Sequence, residues 1–345
     1  MPAISSQPPA LSTSSPPHLI IPFAVCSAES WLPVMKAMPA KNTRYLSQLL
    51  HGMKLVQTDA QEVNTLSPPH ERALAKAQGL ASTPSSPDGL IPWAARDALQ
   101  QLPTVQNKAW AWITPCHWAM GREHATLSDP AALNLREDES RTLLAAMQPY
   151  FETDGITLHY LTPERWLAEG ELFRDLPTAS LDRVLGRSVD PWLVNSKTLR
   201  RLQNEMQMLL YTHAVNDERA AQRQWPVNSF WLSGTGSLPD LPLTQTLIKT
   251  LEAASISAPR SLAQAVFNND WPAYGEAWAA LDAGEVAQLL TRQRAGERVR
   301  LTLCGERATQ TYKSSQPGLM NKATAYLTSL GVLSPKALWE DRIKL

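Results

Sequence analysis

Apolar runs and helix-period stripes alternate along the chain. Residues 18–26, HLIIPFAVC, form an apolar run after a Pro- and Ser-rich start, which predicts a buried first strand. Tyr45, Leu46, Leu49 and Leu50 recur at helical spacing, with Gly52 close behind, and predict a helix. Ser67, Pro68 and Pro69 open a second over HERALAKAQG: Ser caps helices well, Pro suits the first turn and Gly79 fits just past the end. Residues 81–92 read as loop. Bulky residues alternate in KAWAWITP (108–115), as in a strand. Leu143, Leu144, Met147 and Phe151 share a helix face, and GITLHYL (155–161) reads as another strand. The order strand, helices, strand, helix, strand predicts an α/β fold with a mixed or mostly parallel sheet covered by helices.

The second half carries the strongest helical signal. Over residues 197–213, Leu199, Leu202, Met206, Leu209, Leu210 and His213 form one stripe, with Arg200, Gln203, Asn204, Gln207 and Tyr211 on the adjacent flank. Residues 227–232 read as a strand running into a Gly-rich turn at Gly234 and Gly236. Residues 244–256 fit helix or strand equally. Beyond them the pattern predicts mostly helix to 296, a strand over 297–306 and a helix over 320–333. The expected organisation is a disordered tail (1–17), an α/β domain (18–240) and a smaller helix-rich portion (241–345).

Composition narrows the partners. Lys+Arg and Asp+Glu are equal at 32 each, so the basic excess that nucleic-acid binding draws on is missing. Cys26, Cys116 and Cys304 form no CxxC pair, which excludes a sequence-local zinc site or disulfide scaffold. The first 17 residues hold no Lys or Arg and no apolar core of a secretory signal, and no apolar run reaches the ~20 residues of a membrane span. These features predict a cytoplasmic protein without a membrane partner.

Four segments place polar residues where they are costly. His117, Arg122 and His124 follow a predicted strand end, the usual place for ligands in α/β sheets. Asn204 and Gln207 lie on the flank of the 197–213 helix, where buried amides need partners. His213, Asn216 and Arg219 follow that helix. Asn228, Trp231, Gly234 and Gly236 belong to NSFWLSGTGSLP, whose glycines let backbone N–H groups approach an anion. A dinucleotide fingerprint fails there, because Pro239 stands where the third glycine belongs. These residues are expected to converge into one pocket, with Arg219 and Arg122 supplying positive charge.

The runs SPPHERALA, TPCHWAMGREHATLSDP, LRRLQNEMQMLLYTHAVNDERAA and VNSFWLSGTGSLP resemble a bacterial family named after a regulator of pathogenicity factors, E-type. Its members are often labelled cofactor-independent phosphoglycerate mutase. The likeness runs from about residue 18 to the C-terminus and is strongest over 108–240. It implies an alkaline-phosphatase-like fold and, for an active mutase, two divalent metals held by Asp and His beside a Ser or Thr nucleophile. This chain departs from that pattern: CSAESW follows the first strand without an Asp, and no Asp-His dipeptide occurs. The leading expectation is therefore a non-catalytic or regulatory protein that holds no metal or cofactor. It would bind a phosphorylated or other anionic small molecule, or a protein partner. The alternative is a mutase-like phosphoryl-transfer enzyme with an unorthodox metal site.

Overall fold

A computed structural model describes residues 15–80, 87–102, 107–239, 241–253 and 255–314. The predicted tail up to residue 14, residues 81–86 of the predicted loop and the predicted helix over 320–333 lie outside them. The strands are β1 (His18–Ile21), β2 (Met53–Ala60), β3 (Ala109–Cys116), β4 (Trp118–Met120), β5 (Ala125–Leu127), β6 (Thr157–Thr162), β7 (Arg165–Glu169), β8 (Ser229–Ser237), β9 (Ile256–Ser257), β10 (Arg300–Cys304) and β11 (Ala308–Ser314). The helices are α1 (Trp31–Ala37), α2 (Arg44–His51), α3 (Pro69–Gln78), α4 (Trp93–Gln101), α5 (Glu137–Thr153), α6 (Leu181–Val184), α7 (Lys197–Tyr211), α8 (Ala214–Ala221), α9 (Leu241–Ala253), α10 (Ser261–Phe267), α11 (Trp271–Leu281) and α12 (Ala287–Arg294). None of the described helices is long and apolar enough to cross a membrane.

Two main sheets organise this α/β fold. The first, in the order β2-β11-β10-β1-β9, is mixed: β1 runs parallel to β10 and β9, whereas β11 is antiparallel to β10 and β2. It draws strands from both sides of residue 240. Leu19, Ile21, Leu301 and Leu303 bury one face of it against Trp31, Leu46, Leu49 and Trp278 of the flanking helices. The second sheet, β6-β7-β3-β8, is antiparallel throughout. Leu143, Met147 and Phe151 of α5 and Leu202 and Met206 of α7 fill one face of it, and Ala94, Ala95 and Ala98 of α4 pack on the other. The sheets are thus mixed and antiparallel, not mostly parallel.

Local physics sets several boundaries. β1 stops at Ile21 because Pro22 brings no backbone N–H, and Phe23 turns the chain with φ of 53°. Ser196 caps α7 by accepting from the Leu199 N–H at 3.4 Å. The open stretch 244–256 resolves into the end of α9 followed by β9. The expected turn at Gly234 and Gly236 is instead strand: β8 runs through both glycines. Trp112 pairs with Ser233 and Trp110 with Gly236, so Gly234 and Thr235 share a single partner position. With Gly234 at φ of 64°, this is a β-bulge of the kind that begins on a left-handed glycine. The pattern does not predict α1, β2, α4, β4, β5, α6, β7 or β11.

Candidate active site

A cavity of about 430 Å³ opens where the C-terminal end of β1 meets the second sheet. Trp112, Thr114, Ser233 and Gly234 supply strand residues to its wall, Pro22 follows β1 into it, and α3, α4, α6, the β6–β7 turn, the Asp129–Ala131 segment and the stretch 258–267 leading into α10 supply the rest. Its polar centre is built from three distant segments. His70 and Glu71 stand in the first turn of α3, held there by the Pro-initiated helix start. Ser180 caps α6 by accepting from the Asp182 N–H at 3.2 Å. Arg260 arrives from the residue preceding α10.

Asp182 joins these segments. His70 Nε2 lies 2.9 Å from Asp182 Oδ2, and Arg260 donates to both carboxylate oxygens, at 2.9 and 2.6 Å. Burial pushes the Asp182 carboxyl up, but the His70 hydrogen bond and the Arg260 charge outweigh it and hold the group well below the usual carboxylate range. An ionised Asp182 only accepts, so His70 Nε2 carries the proton and donates it. Phe23, at the left-handed turn after β1, packs its ring 5.6 Å from the His70 ring.

Glu71 behaves oppositely. Burial pushes its carboxyl up, and the Asp182 charge adds to that, against the lowering pull of His70, Ser180 and Arg260. Ser180 Oγ donates to Glu71 Oε1 in a short hydrogen bond. Two carboxylates in one wall, driven apart in proton affinity, are an arrangement suited to acid–base work. A further part of the lining is aromatic and cationic. Trp93 and Trp112 lie parallel, 6° apart, with centroids separated by 6.5 Å. Arg96 sits 4.7 Å over the first ring and Arg165 4.2 Å over the second. Asp97 locks this wall, one oxygen accepting from Arg96 Nε at 2.8 Å and the other from Trp112 Nε1 at 3.1 Å.

A dinuclear metal centre needs a ligand set for each ion. Among the described residues one group, His70, Glu71 and Asp182, brings its ligand atoms within 4.8 Å of one another. Both Asp182 oxygens are taken by Arg260, and Glu71 already accepts from Ser180. These residues do not fit a pair of ions, and a single cation would displace the Arg260 pair.

Of the residues expected from sequence, Gly234 lines this cavity. The others lie outside its lining. Arg122 and His124 are exposed on the β4–β5 turn, and Asn204 is exposed on α7. His117 Nδ1 meets the Pro226 carbonyl at 2.9 Å, and Asn228 exchanges hydrogen bonds with the backbone of Trp118 at 2.7 and 3.0 Å. Gln207 reaches Ser229 Oγ at 3.4 Å. His117, Asn228 and Gln207 therefore gather at one end of β3 and β8, away from the cavity wall. His213 caps α8 by accepting from the Val215 N–H, and Asn216 bridges the backbone of Leu210 and Val227. Arg219, fully buried, donates to Glu139 and to the carbonyls of Leu133 and Trp225. Trp231 Nε1 donates to the carbonyl of Ala179, next to Ser180. Gly236, with φ of 133°, approaches Pro92. Most of these buried polar groups are satisfied by backbone, and Gln207 and Arg219 also by the side chains of Ser229 and Glu139.

His70, Glu71, Ser180, Asp182, Arg165 and Arg260 were not singled out from sequence. One signal was available: two titratable residues directly after a Ser-Pro-Pro helix start.

The class defined here is an α/β protein whose cavity is lined by a buried cluster of His70, Glu71 and Asp182 together with an aromatic, arginine-bearing stretch. No family model matches the chain, and no curated protein matches it. Among solved structures it is similar to the cofactor-independent phosphoglycerate mutase from Thermoplasma acidophilum DSM 1728, at 13% identity over 89% of this chain and 91% of that one, with a TM-score of 0.35. It is also similar to the PH0037 protein from Pyrococcus horikoshii, at 11% identity over 88% of each chain, with a TM-score of 0.43.

Proposed function

We propose that the protein is a phosphoryl-transfer enzyme for a small phosphorylated molecule, with Ser180 as nucleophile and Glu71 as its base. One observation carries this reading: Ser180 donates its hydroxyl proton to a carboxyl of raised proton affinity, in the wall of a ligand-sized cavity. A serine hydroxyl attacks poorly until an adjacent base takes its proton, and a base whose pKa approaches the working pH does so best. In the step, Ser180 Oγ forms a bond to phosphorus and the bond from phosphorus to the ester oxygen breaks. The Ser180 proton passes to Glu71, which returns it to the departing oxygen. An acceptor hydroxyl, from water or from the substrate, reverses these moves and frees Ser180. Asp182, held anionic, fixes the ring of His70 and the guanidinium of Arg260 beside the reacting group.

The family resemblance makes 3-phosphoglycerate the first substrate to assay. Ser180→Ala is expected to abolish turnover while costing about 1 kcal/mol, the usual loss for a helix N-cap, so that the variant stays folded. Turnover retained in that variant contradicts the assignment. Anion binding without turnover is favoured by one feature, the Arg260–Asp182 pair, which neutralises a group that a metal-dependent enzyme keeps open. It predicts saturable phosphate binding and no product.

A further inference from the structure

The arginines of the cavity differ in what they are paired with. Arg260 is neutralised by Asp182 and Arg96 by Asp97. The Arg165 guanidinium makes no hydrogen bond or ion pair with the described residues; it stacks on the face of Trp112, 4.2 Å from the ring centroid, and the carboxylates of Asp97 and Glu71 act on it only from beyond ion-pair range. It is half-buried at the start of β7 and lines the cavity. A guanidinium removed from water without a direct ion-pair partner is costly, and burial lowers the proton affinity of this one. Its charge is retained because arginine does not give up its proton near neutral pH.

We propose that Arg165 is the anion receptor of the cavity, taking two oxygens of a phosphoryl group through the N–H edge that its stacking on Trp112 leaves open. Stacking holds the guanidinium plane, so the paired donors are presented with little entropy left to lose. The Trp112 platform in turn depends on the β8 bulge: a Cβ at Gly234 would lie 2.8 Å from its ring. The inference rests on the phosphoryl-transfer reading for the identity of the anion.

Its test uses an anion that does not react, so the two readings fail separately. Inorganic phosphate is titrated into the full chain by calorimetry, with the thermal midpoint as a second readout. The expected result is saturable binding that Arg165→Met weakens by about tenfold or more, with Arg165→Lys in between. Arg141→Met serves as the control, because Arg141 is also stacked, 3.7 Å over Tyr160, but outside the cavity. It should bind as the wild type does. Arg165→Met binding phosphate as tightly as the wild type overturns the proposal, and so does a folded wild type that binds no phosphate. If Arg165→Met does not fold, Arg165→Lys matching the wild type overturns it too. Loss of phosphate binding in Arg165→Met together with full turnover in Ser180→Ala would sink the assignment of Ser180 as nucleophile and keep this one.

Discussion

Glu71 and Asp182 share one wall of the cavity, yet their surroundings move them in opposite directions. Glu71 is raised by burial, so its contribution to stability is favourable at low pH and is lost as pH rises through its folded pKa. Glu71→Gln should therefore gain stability relative to the wild type as pH rises, measured by denaturant unfolding across pH. The same variant should lose turnover. In the wild type, kcat/KM should fall on the acid side at a pH above the ordinary glutamate range, because the base must be ionised. Asp182 is lowered, so its contribution is present above the unfolded carboxylate pKa and is lost as pH falls below it. Asp182→Asn strips His70 and Arg260 of their shared partner. It should cost about 3 kcal/mol, the low end for a broken buried pair because Arg260 is half exposed. Arg219→Ala is expected to cost about 3–5 kcal/mol, since it leaves Glu139 buried and unpaired. It should do so without weakening phosphate binding per folded molecule, which separates Arg219 from the site.

At the scale of elements, α3 and the bulged β8 do most of the positioning. The helix start at Pro69 is written in local sequence and appears where the pattern put it. The bulge is different. Glycines after an apolar run read as a turn, because local pattern does not show that β3 continues alongside them as far as Ala109, opposite Ser237. Gly234→Ala would place a Cβ against Trp112 in a left-handed backbone conformation. A destabilisation of about 1–3 kcal/mol is expected, along with weaker phosphate binding through the displaced Trp112. An unchanged unfolding midpoint would show that the bulge relaxes freely. The α7 flank was legible as a set of amides needing partners, but its partners lie on β8: Gln203 Nε2 donates to the Phe230 carbonyl at 3.0 Å.

The whole molecule explains why the fold class was readable and the site was not. Alternating strand and helix patterns follow from local periodicity, and they survive in β1, β3, β6, β8, β10 and most helices. The site is assembled across the chain: His70 meets Asp182 from 112 residues away, and Arg260 reaches it across 78. No local pattern encodes such separations. The same applies to the first sheet, where β10 returns to pair with β1. His117 does follow the end of β3, whereas Gly234 lies within β8, and which part of the strands meets the cavity is decided by how the two sheets meet. The central claim is that Ser180 receives the phosphoryl group. It is tested most directly by incubating the full chain with 3-phosphoglycerate or para-nitrophenyl phosphate, quenching in acid and locating bound phosphate by peptide mass spectrometry. Phosphate on Ser180, lost in Glu71→Gln, is the predicted result. Product formation with no phosphate on Ser180, or neither product nor phosphoserine from either ester, would contradict it.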